Sequence, residues 1–187
     1  MSIGHLAAQR ALYWAETGRL DGDLCRAQPY ASLIKVPTPI LHWQLTAFST
    51  RQLDINAWSD LKPFKVGYER GMTIIAEHSE LNLLPANSIE SAILQASMGR
   101  VDVLLNDDFT TRYNLRRMGV ENLIANPTPL APGPAFHLLN SKHQKLAEQL
   151  NAVLLEMTAN DRIRQIKDEV IEDFMRKAEQ EYRQEQP

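Results

Sequence analysis

The chain has 187 residues, 44% hydrophobic and 23% charged, a composition that suits a globular domain with a real core and excludes a disordered chain. The net charge of −3 does not imply a broad basic surface for nucleic acid, and the single cysteine, Cys25, excludes an internal disulfide. The longest apolar runs fall far short of a membrane span, and "MSIGHLAAQRALYW" has no basic start, long apolar stretch or cleavage site, so no signal peptide is expected in it.

Taken in chain order, Leu6, Ala8, Leu12 and Ala15 have helical spacing and stop before Gly18, which predicts a helix over 5–17. "GDLCRA" reads as a short strand, with Cys25 expected as a small buried residue. "PTPILHWQLTAFST" reads as a longer strand, with Leu41, Trp43, Leu45 and Ala47 on one face and Pro37 and Pro39 confining its start. "KVGY" is strand-like and leads through Glu69-Arg70-Gly71 to a helix from about Met72. "LNLLPA" is a strand. The next helix carries Ile89, Ala92, Ile93 and Ala96 as its stripe, with Asn87 and Glu90 as start signals and Gly99 as its stop. "VDVLLN" is an apolar strand, "DFTTRYNLRRMG" a helix ending at Gly119, and "ENLIAN" a further strand. Strands alternating with helices predict parallel crossovers in an α/β fold.

After the proline-rich "NPTPLAPGP" comes the strand "AFHLLN". Ser141 and Gln144 form a candidate capping box for a helix with Leu146, Leu150, Val153 and Leu154 on its buried side. The last helix carries Ile163, Ile166, Val170, Ile171 and Phe174. Beyond Met175 the chain is almost wholly polar and is expected to fray or project into solvent. An α/β unit over 52–130 therefore lies between flanking parts, 1–51 and 131–187. Two crossings between two lobes imply a cleft and hinge closure around a small ligand.

The segments "DLKPFKVGYERGMT", "SIESAILQASMGRVDVLLNDD" and "AFHLLNSKHQKLAEQLNAVLLEM", in that order and spacing, resemble bacterial extracellular solute-binding proteins of the amino-acid-binding type. The upstream "AAQRALYWAETGRLDGDLCR" is similar to that family's first-lobe segment, so the resemblance covers about residues 7–170. It implies a type II periplasmic-binding-protein-like α/β fold, with two lobes, hinge strands and an incomplete first lobe that lacks the opening strand–helix–strand. It implies binding without catalysis and without a cofactor. The expected partners are a small polar solute and the membrane component of an ABC transporter, with no nucleic acid and no membrane insertion, on a monomeric protein. The family is periplasmic; if Met1 is the true start, the chain would be cytoplasmic.

The candidate ligand-binding residues are Arg26, Arg70, Gly71, Met72, Thr73 and Asp107. Gly71 to Thr73 form either an anion-binding turn, with unpaired N–H groups at a helix start, or an ordinary strand-to-helix turn. Met72 stands where the resembling family usually has Ser or Thr. In that family an acidic residue at the position of Asp107 binds the ligand's amino group. The other reading of Asp107, alone or shared with Asp108, is a helix N-cap. Arg26 is either a carboxylate clamp or one side of a surface ion pair. Tyr68 flanks the turn, and Trp43 reads as core. The five histidines have no metal-ligand spacing, and no nucleophile–base pair is legible, so no enzyme is expected. Two alternatives accompany transport, a cytoplasmic ligand-sensing or interaction module on the same scaffold and a shortened chain that is inactive alone.

Overall fold

The computed structural model describes residues 8–27, 30–70 and 72–184. In chain order the elements are α1 (Ala8–Glu16), β1 (Gly22–Arg26), β2 (Leu33–Lys35), β3 (Leu41–Ser49), β4 (Lys65–Glu69), α2 (Thr73–Ala76), β5 (Asn82–Ala86), α3 (Ile89–Ser97), β6 (Val103–Asp107), α4 (Asp108–Met118), β7 (Ile124–Ala125), β8 (Ala131–Asn140), α5 (Gln144–Ala159) and α6 (Arg162–Gln184). Single 3-10 turns occupy Trp58–Leu61 and Ser141–His143. The chain forms two compact units, Met1–His42 with Gly133–Glu169, and Trp43–Pro132 with Val170–Pro187. It passes from one to the other within β3, within β8 and within α6.

In the first unit β8 runs between β1 and β2 and pairs antiparallel with both. Adjacent residues of a strand face opposite ways, and Leu138 and Leu139 use this to serve two clusters. Leu138 packs with Ala15 and Leu33, flanked by Leu12 and Leu20. Leu139 packs with Val36, Ala147 and Leu154, flanked by Leu150 and Ile163. Thus α1 and α5 cover opposite faces, and the fully buried Leu138 contributes about 2 kcal/mol. Gly18, at φ +74, ends α1 as its position predicts.

Cys25 departs from expectation. It is exposed and has φ 63. The β1–β8 register shifts between Asp23 and Arg26, where β1 carries one residue more than its partner. A bulge of this kind turns the extra residue out of the pleat, so alternation along "GDLCRA" misplaces it.

In the second unit the strand order is β3-β6-β4-β5. β4 is parallel to both β5 and β6, as alternating strands and helices predict, and β3 is antiparallel to β6. One face gathers Leu45, Ala47, Val66, Tyr68, Val103 and Leu105 over Ile55, Leu61 and Ile75, with Trp43 packed at the side. The other gathers Phe48 and Leu104 beneath Ile89, Ala92, Ile93 and Ala96 of α3. The helix stripe read from the sequence is thus the buried one. Its cap is Ser88 rather than Asn87, with the hydroxyl accepting from the Ser91 N–H at 3.3 Å. Gly99, at φ +69, closes α3, and the Arg100 N–H reaches the Gln95 carbonyl at 2.8 Å.

Four further expectations change. The helix after Gly71 is one turn, Thr73–Ala76. "ENLIAN" yields only the two-residue β7. Its Asn126 instead brackets Ile55, accepting from the Ile55 N–H at 3.2 Å and donating to the Ile55 carbonyl at 2.7 Å. The Ser141–Gln144 capping box does not form. Asn140 accepts from the Lys142 N–H at 3.2 Å, and a 3-10 turn precedes α5. Finally, the polar tail is helical to Gln184. Phe174, Ala178 and Tyr182 form a stripe at four-residue spacing, hidden among charges. Phe174 meets Phe109 and Tyr113 edge-on, Ala178 is fully buried, Glu179 pairs with Arg116 at 3.0 Å, and Tyr182 lies against Gly119.

Candidate functional site in the second unit

The parallel pairing of β4 with β6 spans Val66–Gly67 and Val103–Leu104. Both strands continue beyond it, β4 to Glu69 and β6 to Asp107. From β4 the chain leaves toward α2, whose Ile75 belongs to the cluster with Tyr68 and Leu105. From β6 it leaves toward α4, whose Leu115 packs on the cluster with Leu104. Neighbouring parallel strands whose connections depart over opposite faces leave a crevice at their C-terminal ends, where open α/β sheets take ligands. Glu69, Arg70, Met72 and Thr73 stand on one side of it, and Asn106, Asp107 and Asp108 on the other.

Gly71 lies outside the described residues. Met72 is half-buried against the core cluster, and its N–H donates to the Glu69 carbonyl at 3.3 Å. Thr73 opens α2, which has four residues. The helix that follows is a single turn without the dipole of a long helix, and the Met72 N–H is engaged within the chain. Arg70 is exposed, and its N–H donates to the Ala86 carbonyl at 2.8 Å.

Asp107 caps α4. Its Oδ1 accepts from the Thr110 N–H at 2.9 Å and the Thr110 hydroxyl at 2.8 Å. Both bonds fall on one oxygen, and Oδ2 makes none among the described residues. Asp108 pairs with Arg112 at 2.8 Å on the surface. The capping task left open between the two aspartates thus falls to Asp107. In the first unit, Arg26 is ion-paired with Asp23 at 2.6 Å. A cavity of about 280 Å³ in that unit is lined by Thr38, Ile40, His42, Met157, Arg164 and Lys167, among others, and includes none of the candidate ligand residues.

Sequence reasoning passed over three residues at the crevice. Glu69 ends β4 half-buried. Burial, and secondarily the nearby Glu90 carboxylate, push its pKa up. Glu90 is held below the usual range chiefly by its own backbone N–H at the start of α3, and it pairs with Arg117 at 2.7 Å. Asn106 and Thr46 are cross-strand partners, each 2% exposed. The Asn106 amide nitrogen and the Thr46 hydroxyl have no hydrogen-bond partner among the described residues. Polar residues at an otherwise apolar strand end were the available signal; "VDVLLN" and "WQLTAF" read as core because apolar residues dominate them. Among the described residues, no group of His, Cys, Asp and Glu is placed to hold a metal ion.

No protein-family model matches the chain, and no curated protein matches it either. Solved structures do. A histidine kinase sensor domain with similarity to periplasmic binding proteins superposes with a TM-score of 0.72 at 16% identity, over 87% of this chain and 75% of its own. The substrate-binding protein of an amino acid ABC transporter from Streptococcus pneumoniae, bound to L-arginine, gives 0.71 at 13% identity, over 95% and 77%. The ligand-binding core of GluR0 with L-glutamate gives 0.69 at 16%, over 91% and 77%. The mixed α/β architecture is that of periplasmic-binding-protein-like domains. More narrowly it is the type II periplasmic-binding fold expected from the sequence.

Proposed function

We propose that the chain binds a small polar, amino-acid-like solute at the ends of β4 and β6, as the substrate-binding component of an ABC-type transporter in the periplasm. The observation that carries this reading is the crevice between two neighbouring parallel strands whose connections leave over opposite faces, in a fold whose solved neighbours were captured with L-arginine and L-glutamate. Arg70, Gly71, Met72, Thr73 and Asp107 are the proposed ligand residues of the second unit, and Arg26 that of the first. Asp107 suits an ammonium group through its unused Oδ2, because its capping bonds occupy Oδ1. No catalytic step is proposed. A thermal-shift screen over amino acids, short peptides and small organic ions tests the reading. A ligand at 100 times its dissociation constant adds about 2.7 kcal/mol of stability. A flat response from folded protein across that panel refutes it.

The likeness to a histidine kinase sensor domain favours a second reading, ligand sensing. A solute-dependent complex with a kinase or regulator, in place of transporter membrane subunits, would select it.

A further inference from the structure

We propose that Glu69 selects the charge of the solute, so that the second unit takes a solute with a cationic ammonium or guanidinium group beyond the α-ammonium proposed for Asp107, and sets that second cation against the Glu69 carboxylate. This rests on the solute-binding reading above.

Glu69 is the last residue of β4, at the mouth of the crevice. No described residue pairs with its carboxylate, and Glu90, the charge that acts on it, is itself engaged elsewhere. Glu90 holds Arg117 and Asp108 holds Arg112. Arg70 is exposed, and no ion pair of it occurs among the described residues. A half-buried carboxylate without a partner is best satisfied by a cationic donor, since charge-assisted bonds are about twice as strong as neutral ones. The rise in its pKa from burial and from Glu90 has the same physical origin, a negative charge that lacks compensation.

A second observation is independent of Glu69. Gly67 lies beside Leu104, and Asn106 lies opposite Thr46. Alternation along each strand then puts Glu69, Asn106 and Thr46 on one face. The unpartnered amide nitrogen and hydroxyl are deeply buried there. Buried polar groups of this kind normally have a partner, and a polar solute reaching that row supplies one. Glu69 provides the charge selection, and Asn106 and Thr46 provide polarity without charge.

Titration calorimetry with L-arginine, L-lysine and agmatine against L-citrulline, which keeps the α-ammonium and α-carboxylate of arginine but carries a neutral ureido group in place of the guanidinium, tests this on the wild type and Glu69→Gln. The expected result is at least one cationic probe bound about tenfold or more tighter than citrulline, with the preference largely erased in Glu69→Gln. Citrulline binding as tightly as the cations, or an undiminished preference in Glu69→Gln, overturns the inference and leaves the solute-binding reading standing. Failure of every probe and of the common amino acids to bind overturns both. If Glu69→Gln does not fold, Glu69→Asp, which keeps the charge, must keep the preference for cations, and its loss there counts against the inference.

Discussion

The side-chain amide of Asn140 donates to the carbonyl of Ala15 at 2.7 Å, joining residues 125 positions apart. One buried side chain thereby closes the end of α1, and its oxygen holds the Lys142 N–H. Unpaired buried backbone groups are costly, so Asn140→Ala is expected to destabilise the protein by about 2–3 kcal/mol. Asn140→Asp keeps the acceptor but sets a buried carboxylate against the Ala15 carbonyl, and should cost at least as much as the alanine variant at neutral pH. Urea unfolding monitored by circular dichroism reads both.

Asp107 separates capping from binding. Asp107→Ala removes the bonds from Thr110 and should cost about 1 kcal/mol of stability. Asp107→Asn retains a capping oxygen and should unfold close to the wild type. If Asp107 also receives an ammonium group, the asparagine variant loses affinity while keeping stability. Equal affinity in the two proteins would remove Asp107 from the ligand site.

Glu69 makes stability depend on pH with a definite sign. Its folded-state pKa is raised above the ordinary 4.5, so the folded state holds the proton more tightly than the unfolded chain. The ionised form is therefore a burden above the raised pKa, and that burden is lifted below 4.5. Glu69→Gln should be more stable than the wild type at neutral pH. The advantage should shrink as pH falls through the raised pKa and vanish below the ordinary value. Melting temperatures of both proteins across that range give the comparison, and a difference independent of pH would contradict it.

Gly119 has φ +64 and lies under the ring of Tyr182. Any side chain there meets both backbone strain and the ring. Gly119→Ala should cost about 1–2 kcal/mol from the left-handed conformation alone, and more if Tyr182 is displaced. Tyr182→Ala should cost about 1–2 kcal/mol from lost apolar contact. A chain ending at Met175 should be less stable than the full one, whereas a frayed tail would make the two equal.

Cys25 is exposed, so a thiol reagent should modify it in the folded protein at a rate insensitive to mild denaturant. Reaction only on unfolding would return Cys25 to the interior.

Much of this architecture is local and was legible. Gly18, Gly99 and Gly119 stop α1, α3 and α4 because each adopts positive φ, a backbone state that glycine reaches without strain. Ile89, Ala92, Ile93 and Ala96 face the core because a helical period is written in consecutive residues. Alternating strands and helices sufficed for the parallel β4–β5 and β4–β6 pairs, and the wider resemblance sufficed for the fold.

What tertiary structure alone decided depends on residues far apart in the chain. The bulge that exposes Cys25 arises from the count of residues opposite β8. The polar end of α6 stays helical because α4 and its closing Gly119 receive a sparse stripe, Phe174 against Phe109 and Tyr113, and Tyr182 against Gly119. Glu69, Asn106 and Thr46 form a row only because β4, β6 and β3 are neighbours in a particular register. Turn and helix signals act through the backbone of adjacent residues. Strand partners, and hence the neighbours of every side chain at the crevice, are chosen by the packing of the whole sheet.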